Sequence, residues 1–118
     1  MLVIGKTFNF DAAHYLPSYE GKCRRMHGHT WHITVEVTGE LNPLTHMIMD
    51  LHSLQDYVNI ILEEFDHKVL NDTVLYPTCE NVSTYVFNNL NRLLAPGVTV
   101  HSVKVQEGEG GYACLTLD

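Results

Sequence analysis

At 118 residues the chain has room for one domain, 1–118, and little for a second. Its 7 Lys and Arg stand against 14 Asp and Glu, a formal net charge of −7, which argues against a nucleic-acid partner because that role demands a basic face. No stretch approaches the roughly 20 apolar residues of a membrane span, so no membrane partner is expected.

Residues 2–10 alternate, with Leu2, Ile4, Phe8 and Phe10 on one phase and Gly5, Thr7 and Asn9 on the other. That period of two predicts a strand with one buried face, and His14 keeps the phase of Phe8 and Phe10 if no bulge intervenes. Residues 15–26, with Pro17, Gly21 and a run of charges, read as a loop. From His27 to Thr38 alternation resumes, with His29, Trp31, Ile33, Val35 and Val37 in phase. Gly39 to Pro43 turns the chain. Asp50 is a good helix N-cap, followed by a stripe of Leu51, Leu54, Val58, Ile61 and Phe65. Pro77-Thr78 opens a second helix, capped by Thr78 or Asn81, with Glu80 favourable in its first turn. Val82, Val86, Leu90 and Leu93 form its buried face, and Pro96-Gly97 ends it. Val98 to Glu107 reads as a third strand, Gly108 to Gly111 as a turn, and Tyr112 to Leu117 as a fourth strand. The order ββααββ predicts an α+β domain: a four-stranded antiparallel sheet with both helices on one face.

Chemistry concentrates between Cys23 and Trp31. On a strand, His27 and His29 project to the same side, close enough to share one metal ion. One more histidine would complete a three-imidazole set suited to zinc, leaving a fourth position open in the manner of a catalytic site. Spacing alone does not choose that third ligand, although His32, His46, His52 and His101 read as surface or packing residues. Cys79 and Cys114 read as small buried hydrophobes. Cys23 differs, because Lys22, Arg24 and Arg25 surround it and nearby cations favour the reactive thiolate. The odd count of three cysteines is not a disulfide framework, and Met1 is followed by no apolar run of signal-peptide length, so a reduced cytoplasmic setting is expected. Asp66-His67 can serve as an acid/base pair in which the aspartate orients the imidazole. Glu107 ends a strand in phase with buried valines, where a carboxylate is costly without a partner; two parallel N–H donors of a heterocycle would satisfy it.

Taken together, Phe10-Asp-Ala-Ala-His14, Cys23-x-x-x-His27-Gly-His29, Asp66-His67, Pro77-Thr-Cys-Glu80-Asn and Val105-Gln-Glu107 resemble the 6-pyruvoyltetrahydropterin synthase superfamily, in order and over nearly the whole chain. The resemblance implies the tunnelling fold, with sheets joined through strand edges into a barrel and two trimers stacked as a homohexamer. It implies zinc on His14, His27 and His29, and Cys23 as proton acceptor. Asp66 and His67 would complete its triad across a subunit boundary. Glu107 would anchor the pterin, with Thr78 to Glu80 lining its pocket, and Lys22, Arg24, Arg25 and Lys68 would hold the triphosphate. The three residues between Cys23 and His27 match the 6-carboxy-5,6,7,8-tetrahydropterin synthases of queuosine biosynthesis, whereas the animal pyruvoyl enzymes have a longer spacing. The implied substrate is 7,8-dihydroneopterin triphosphate. The alternatives are a pyruvoyl-type triphosphate lyase with the same residues, a non-enzymatic zinc-binding module, and an aldolase of the same fold.

Overall fold

The computed structural model describes residues 1–118. Two long strands, β1 (Val3–His14) and β2 (His27–Gly39), form an antiparallel ribbon in which His14 pairs with His27. Helix α1 (Leu51–Leu62), the short strand β3 (Lys68–Val69) and helix α2 (Cys79–Leu93) follow, then β4 (Val98–Glu107) and β5 (Tyr112–Thr116). The sheet order is β3-β1-β2-β4-β5. The sheet therefore has five strands rather than the expected four, because Lys68–Val69 runs parallel to Ala12–Ala13 and extends the edge beyond β1. A two-residue strand leaves no alternation to read, and only its non-local pairing defines it.

Alternation decides which face is covered. Phe10, Ala12, Trp31, Ile33, Val35 and Val37 point to one side of the ribbon and are buried there with Val100, Val103 and Val105 of β4. A bulge at His101, opposite Glu36 and Val37, switches the phase of β4, so that Val100 and Val103 can both face inward. Against this face pack Leu54, Val58 and Ile61 of α1 and Val82, Val86 and Leu90 of α2. Each such side chain contributes about 1.5–3 kcal/mol on burial. Trp31, fully buried at the centre of the ribbon, is the most damaging single deletion, at about 3–5 kcal/mol for alanine.

Local signals fix both helix starts. The Asp50 carboxylate accepts from His52 N at 2.7 Å, and the Thr78 hydroxyl accepts from Asn81 N at 3.1 Å, so Thr78 rather than Asn81 is the cap. The stripe of α1 is shorter than expected: Leu51 is exposed at the first turn, and Phe65 is buried beyond the helix end, where it packs on Phe10 with ring centroids 5.5 Å apart. Leu2, expected inward, is also exposed. No helix is long and apolar enough to cross a membrane.

Candidate active site

The pairing of β1 with β2 brings three histidines to one end of the covered face. Period two carries the phase of Phe10 and Ala12 to His14, and the phase of Trp31 back to His29 and His27. Ring centroids lie 4.6 Å apart for His14 and His27, 4.8 Å for His27 and His29, and 5.3 Å for His14 and His29. Trp31 forms the floor, with its indole N–H donating to Ala12 O at 3.2 Å and its ring 4.9 Å from that of His14. Asn71 holds the chain just beyond His14, accepting from Tyr15 N at 3.1 Å and donating to Tyr15 O at 2.9 Å.

Hydrogen bonds assign the tautomers. His14 Nδ1 lies 2.8 Å from Pro77 O, and His27 Nδ1 lies 2.6 Å from Arg25 O. A carbonyl only accepts, so each Nδ1 carries the proton and each Nε2 presents a lone pair. His14 is 1% exposed, and its Nε2, like that of His29, is buried without a hydrogen-bond partner. Such orphaned polar atoms are costly when buried, and the free lone pair of His14 is relieved by a cation. Burial pulls the pKa of His29 below its usual value, with the Glu107 carboxylate opposing that shift. Neutral imidazoles with free lone pairs are what a metal ion requires, and an outer carbonyl fixing the tautomer is the usual support for a metal-ligating histidine. His14, His27, His29 and Glu107 offer donor atoms all within 4.8 Å of one another, a group that could hold one ion.

Glu107 faces this group because β4 pairs it with Trp31 and keeps it in phase with Val103 and Val105. Its Oε1 lies 2.7 Å from His29 Nε2 and 3.5 Å from His14 Nε2. It also borders a cavity of about 590 Å³, lined by His29, Cys79, Glu80 and the turn from Gly108 to Gly111. Gly108 takes a left-handed φ of 59°, open to glycine at little cost, as the chain leaves β4.

Cys79, expected to be a packing residue, lines that cavity, and its thiol donates to Glu107 Oε2 at 3.8 Å. Desolvation first, and then the Glu107 charge, push this thiol up to about 11. The first residue of α2 gives no sequence signal of meeting a carboxylate on β4. Thr78 does not line the cavity, since its hydroxyl is committed to the helix cap, whereas Glu80 does. Cys114 is exposed rather than buried, because it occupies the outward phase of the edge strand β5.

The other predicted residues lie outside the four-residue donor group, although His67 and Lys68 border a second cavity, of about 480 Å³, that His29 also lines. Cys23 is half-buried in a 3-10 turn, Lys22–Arg24, and its carbonyl accepts from Leu16 N at 2.8 Å. Its thiol is not in the four-residue donor group. Arg24 and Arg25 are exposed, and the ion pairs of the chain all involve histidines, so these guanidinium charges stay free for an anion. Lys68 instead donates to Glu63 O at 2.7 Å. Asp66 and His67 sit beside β1, where Asp66 Oδ2 is 3.0 Å from His67 Nδ1. Asp66 Oδ1 accepts from Asp11 N at 3.0 Å, and His67, at a left-handed φ of 58°, donates its N–H to Asp11 O. The Asp11 backbone N–H, followed by the His67 hydrogen bond, holds the Asp66 carboxyl below its ordinary range. The His67 ring is 77% exposed and, with Asp11 and Asp66, forms a second donor group that shares no residue with the first.

Comparison with known proteins adds to this geometry. Residues 3–117 match the profile of the family described as 6-pyruvoyl tetrahydropterin synthase. A 6-carboxy-5,6,7,8-tetrahydropterin synthase from Synechocystis is 38% identical over 114 residues, covering 91% of this chain and 87% of its own. The 6-pyruvoyl tetrahydrobiopterin synthase of Homo sapiens is 35% identical over 122 residues, covering 88% and 83%. The solved structure of the Caenorhabditis elegans 6-pyruvoyl tetrahydropterin synthase superposes with a TM-score of 0.87 at 25% identity, covering 99% of this chain and 96% of that one.

Proposed function

The chain belongs to the 6-pyruvoyl tetrahydropterin synthase family, and from that premise we propose that it is a zinc-dependent 6-carboxy-5,6,7,8-tetrahydropterin synthase of queuosine biosynthesis. Its substrate is 7,8-dihydroneopterin triphosphate. With water taken up, the products are 6-carboxytetrahydropterin, acetaldehyde and triphosphate. The observation that carries the reading is the convergence of His14, His27 and His29, with the Nε2 atoms of His14 and His29 buried and unpartnered, beside a cavity that Glu107 borders. The carboxy reaction is favoured over the pyruvoyl one by the three residues between Cys23 and His27.

Zinc held by the three histidines supplies Lewis acidity toward the hydroxyls of the substrate side chain. Glu107 accepts hydrogen bonds from the pterin ring in the cavity it shares with Glu80. Cys23 takes the proton from the side-chain carbon, and His67, oriented by Asp66, returns one to the opposite face. Arg24 and Arg25, exposed and unpaired, hold the triphosphate. The Asp66-His67 pair of one subunit serves the histidines of another in a homo-oligomer, a hexamer of two trimers closed through the β3 and β5 edges, in the cytoplasm; the separation of the two donor groups within one chain supports this reading.

Incubation with 7,8-dihydroneopterin triphosphate and identification of products is the test. Acetaldehyde with 6-carboxytetrahydropterin is expected. A pyruvoyl product without acetaldehyde would move the chain to the sister reaction, and bound zinc without turnover would leave only a metal-binding module.

A further inference from the structure

Glu107 is a partly buried carboxylate with no lysine or arginine near it. Its ion-pair contacts within 4.0 Å are to His14 and His29 alone. The 2.7 Å approach of Oε1 to His29 Nε2 does not have the direction of a hydrogen bond, and Nε2 remains unpartnered. A half-buried carboxylate against neutral imidazoles is costly without a cation. Two donors bonded to one tetrahedral zinc at about 2.0–2.1 Å lie about 3.3 Å apart, and the separations of Oε1 from the two Nε2 atoms, 2.7 and 3.5 Å, bracket that value. The other carboxylate oxygen turns away, toward the Cys79 thiol and the cavity.

We propose that Glu107 is a fourth ligand, which closes the three-histidine metal site in the substrate-free protein and leaves it when a heterocycle with adjacent N–H donors occupies the cavity. The inference rests on the metal reading above and extends the role of Glu107 beyond anchoring the ring. Three histidines and a carboxylate complete a tetrahedral set, which is the closed pattern of an inert site. A ligand in the cavity lined by Cys79, Glu80 and Gly108 approaches the carboxylate from the Oε2 side and competes for it. Ring recognition and the opening of a coordination position thus become one event, and the metal stays shielded from water until the ring is seated.

The test uses the Co(II)-substituted protein, whose visible spectrum reports ligand number and type, with unsubstituted pterin as the probe. That probe has the ring but no side-chain hydroxyls, which removes them as metal ligands, and a ring that bound Co(II) directly would change the Glu107→Gln spectrum as well. The wild-type spectrum is expected to change as pterin is added. Glu107→Gln is expected to start from a different spectrum, to ignore pterin, and to bind Co(II) at least about 10-fold more weakly, the lower end of the loss seen when even an outer-shell partner is removed. Glu107→Asp, which keeps the charge but withdraws the oxygen by one methylene, should share the weakened binding and serves if the first variant does not fold. Identical spectra and metal affinity in wild type and Glu107→Gln overturn the proposal while leaving the histidine site standing. Full Co(II) binding after His27→Ala with His29→Ala would instead reject the metal reading itself.

Discussion

Removing the metal should cost folding stability, and the size of the loss can be worked out. In the metal-free chain the Nε2 atoms of His14 and His29 are buried without partners, at about 1–3 kcal/mol each. An ion that binds only the folded chain relieves this and, at free concentrations about 100 times its dissociation constant, stabilises by about 2.7 kcal/mol. For a chain of this length that is about 10 °C in Tm, taking roughly 4 °C per kcal/mol. The assay is thermal unfolding of the zinc-loaded protein before and after chelation, with metal content measured beside it. The control is His27→Ala with His29→Ala. His14 is left alone because it is 1% exposed, bonded to Pro77 O and packed on Trp31, so its truncation would lower Tm through packing alone. Wild type should fall by about 10 °C on chelation and recover when zinc is restored, while the double variant should not respond. A wild-type Tm that stays put after the ion has demonstrably gone would refute the coupling.

Cys23→Ala should keep its metal and lose about 10²–10⁴-fold in turnover, the usual worth of a general acid or base; loss of zinc in that variant would make Cys23 a ligand instead. The Cys79 thiol, raised to about 11, should resist alkylation at neutral pH, and Glu107→Gln should lower its alkylation midpoint without restoring the ordinary value, because desolvation is the larger cause. Peptide-level mass spectrometry separates it from the exposed Cys114, and an unmoved midpoint would contradict the contact. Asp66 has a depressed folded pKa, so its stabilising effect is present above the ordinary carboxylate value near 3.8 and is lost as pH falls through the folded one. Asp66→Asn should therefore flatten the acid limb of stability below about pH 5, as followed by denaturant unfolding. Light scattering at micromolar concentration should give a multiple of the 13.4 kDa chain mass, and a monomer would count against the assembled site.

Much of the site was legible because β periodicity is strict. The phase of Trp31, Ile33 and Val35 puts His29 and His27 on the covered face with no knowledge of the partner strand. His14 was harder. Its place opposite His27 depends on the register between β1 and β2, which spacing does not contain, and only the family resemblance chose it. The same limit hid β3, whose two residues exist as a strand through Ala12 and Ala13, and Cys79, whose meaning comes from a carboxylate on β4. Thr78 went the other way: its cap signal was local, shared in the sequence with Asn81, and the bond that makes Thr78 the cap takes its hydroxyl out of the cavity.

The two donor groups share no residue, and the ribbon's alternation helps separate them. His14, His27 and His29 follow the covered phase of the ribbon, while Asp11 and Thr30 follow the opposite phase, joined by a hydrogen bond of 2.6 Å from the Thr30 hydroxyl to the Asp11 carboxylate. Asp66 and His67 are fastened to the Asp11 backbone, at the edge where β3 extends the sheet. A strand is one residue thick, and alternate residues cannot turn to the same side. Asp11 and Thr30 therefore stay on the side of the ribbon opposite the covered phase, and His67, in the turn before β3, is hydrogen-bonded to the Asp11 backbone there. Under the proposed function, a proton carried by His67 would reach a substrate at the histidines from another copy whose edge strand meets this one. Both edges end in short strands with open backbone groups, a geometry that invites pairing between chains. If the proposed assembly forms, closing the sheet edges and completing the active site would be the same event, so a variant that blocks edge pairing should lose turnover together with its oligomeric mass.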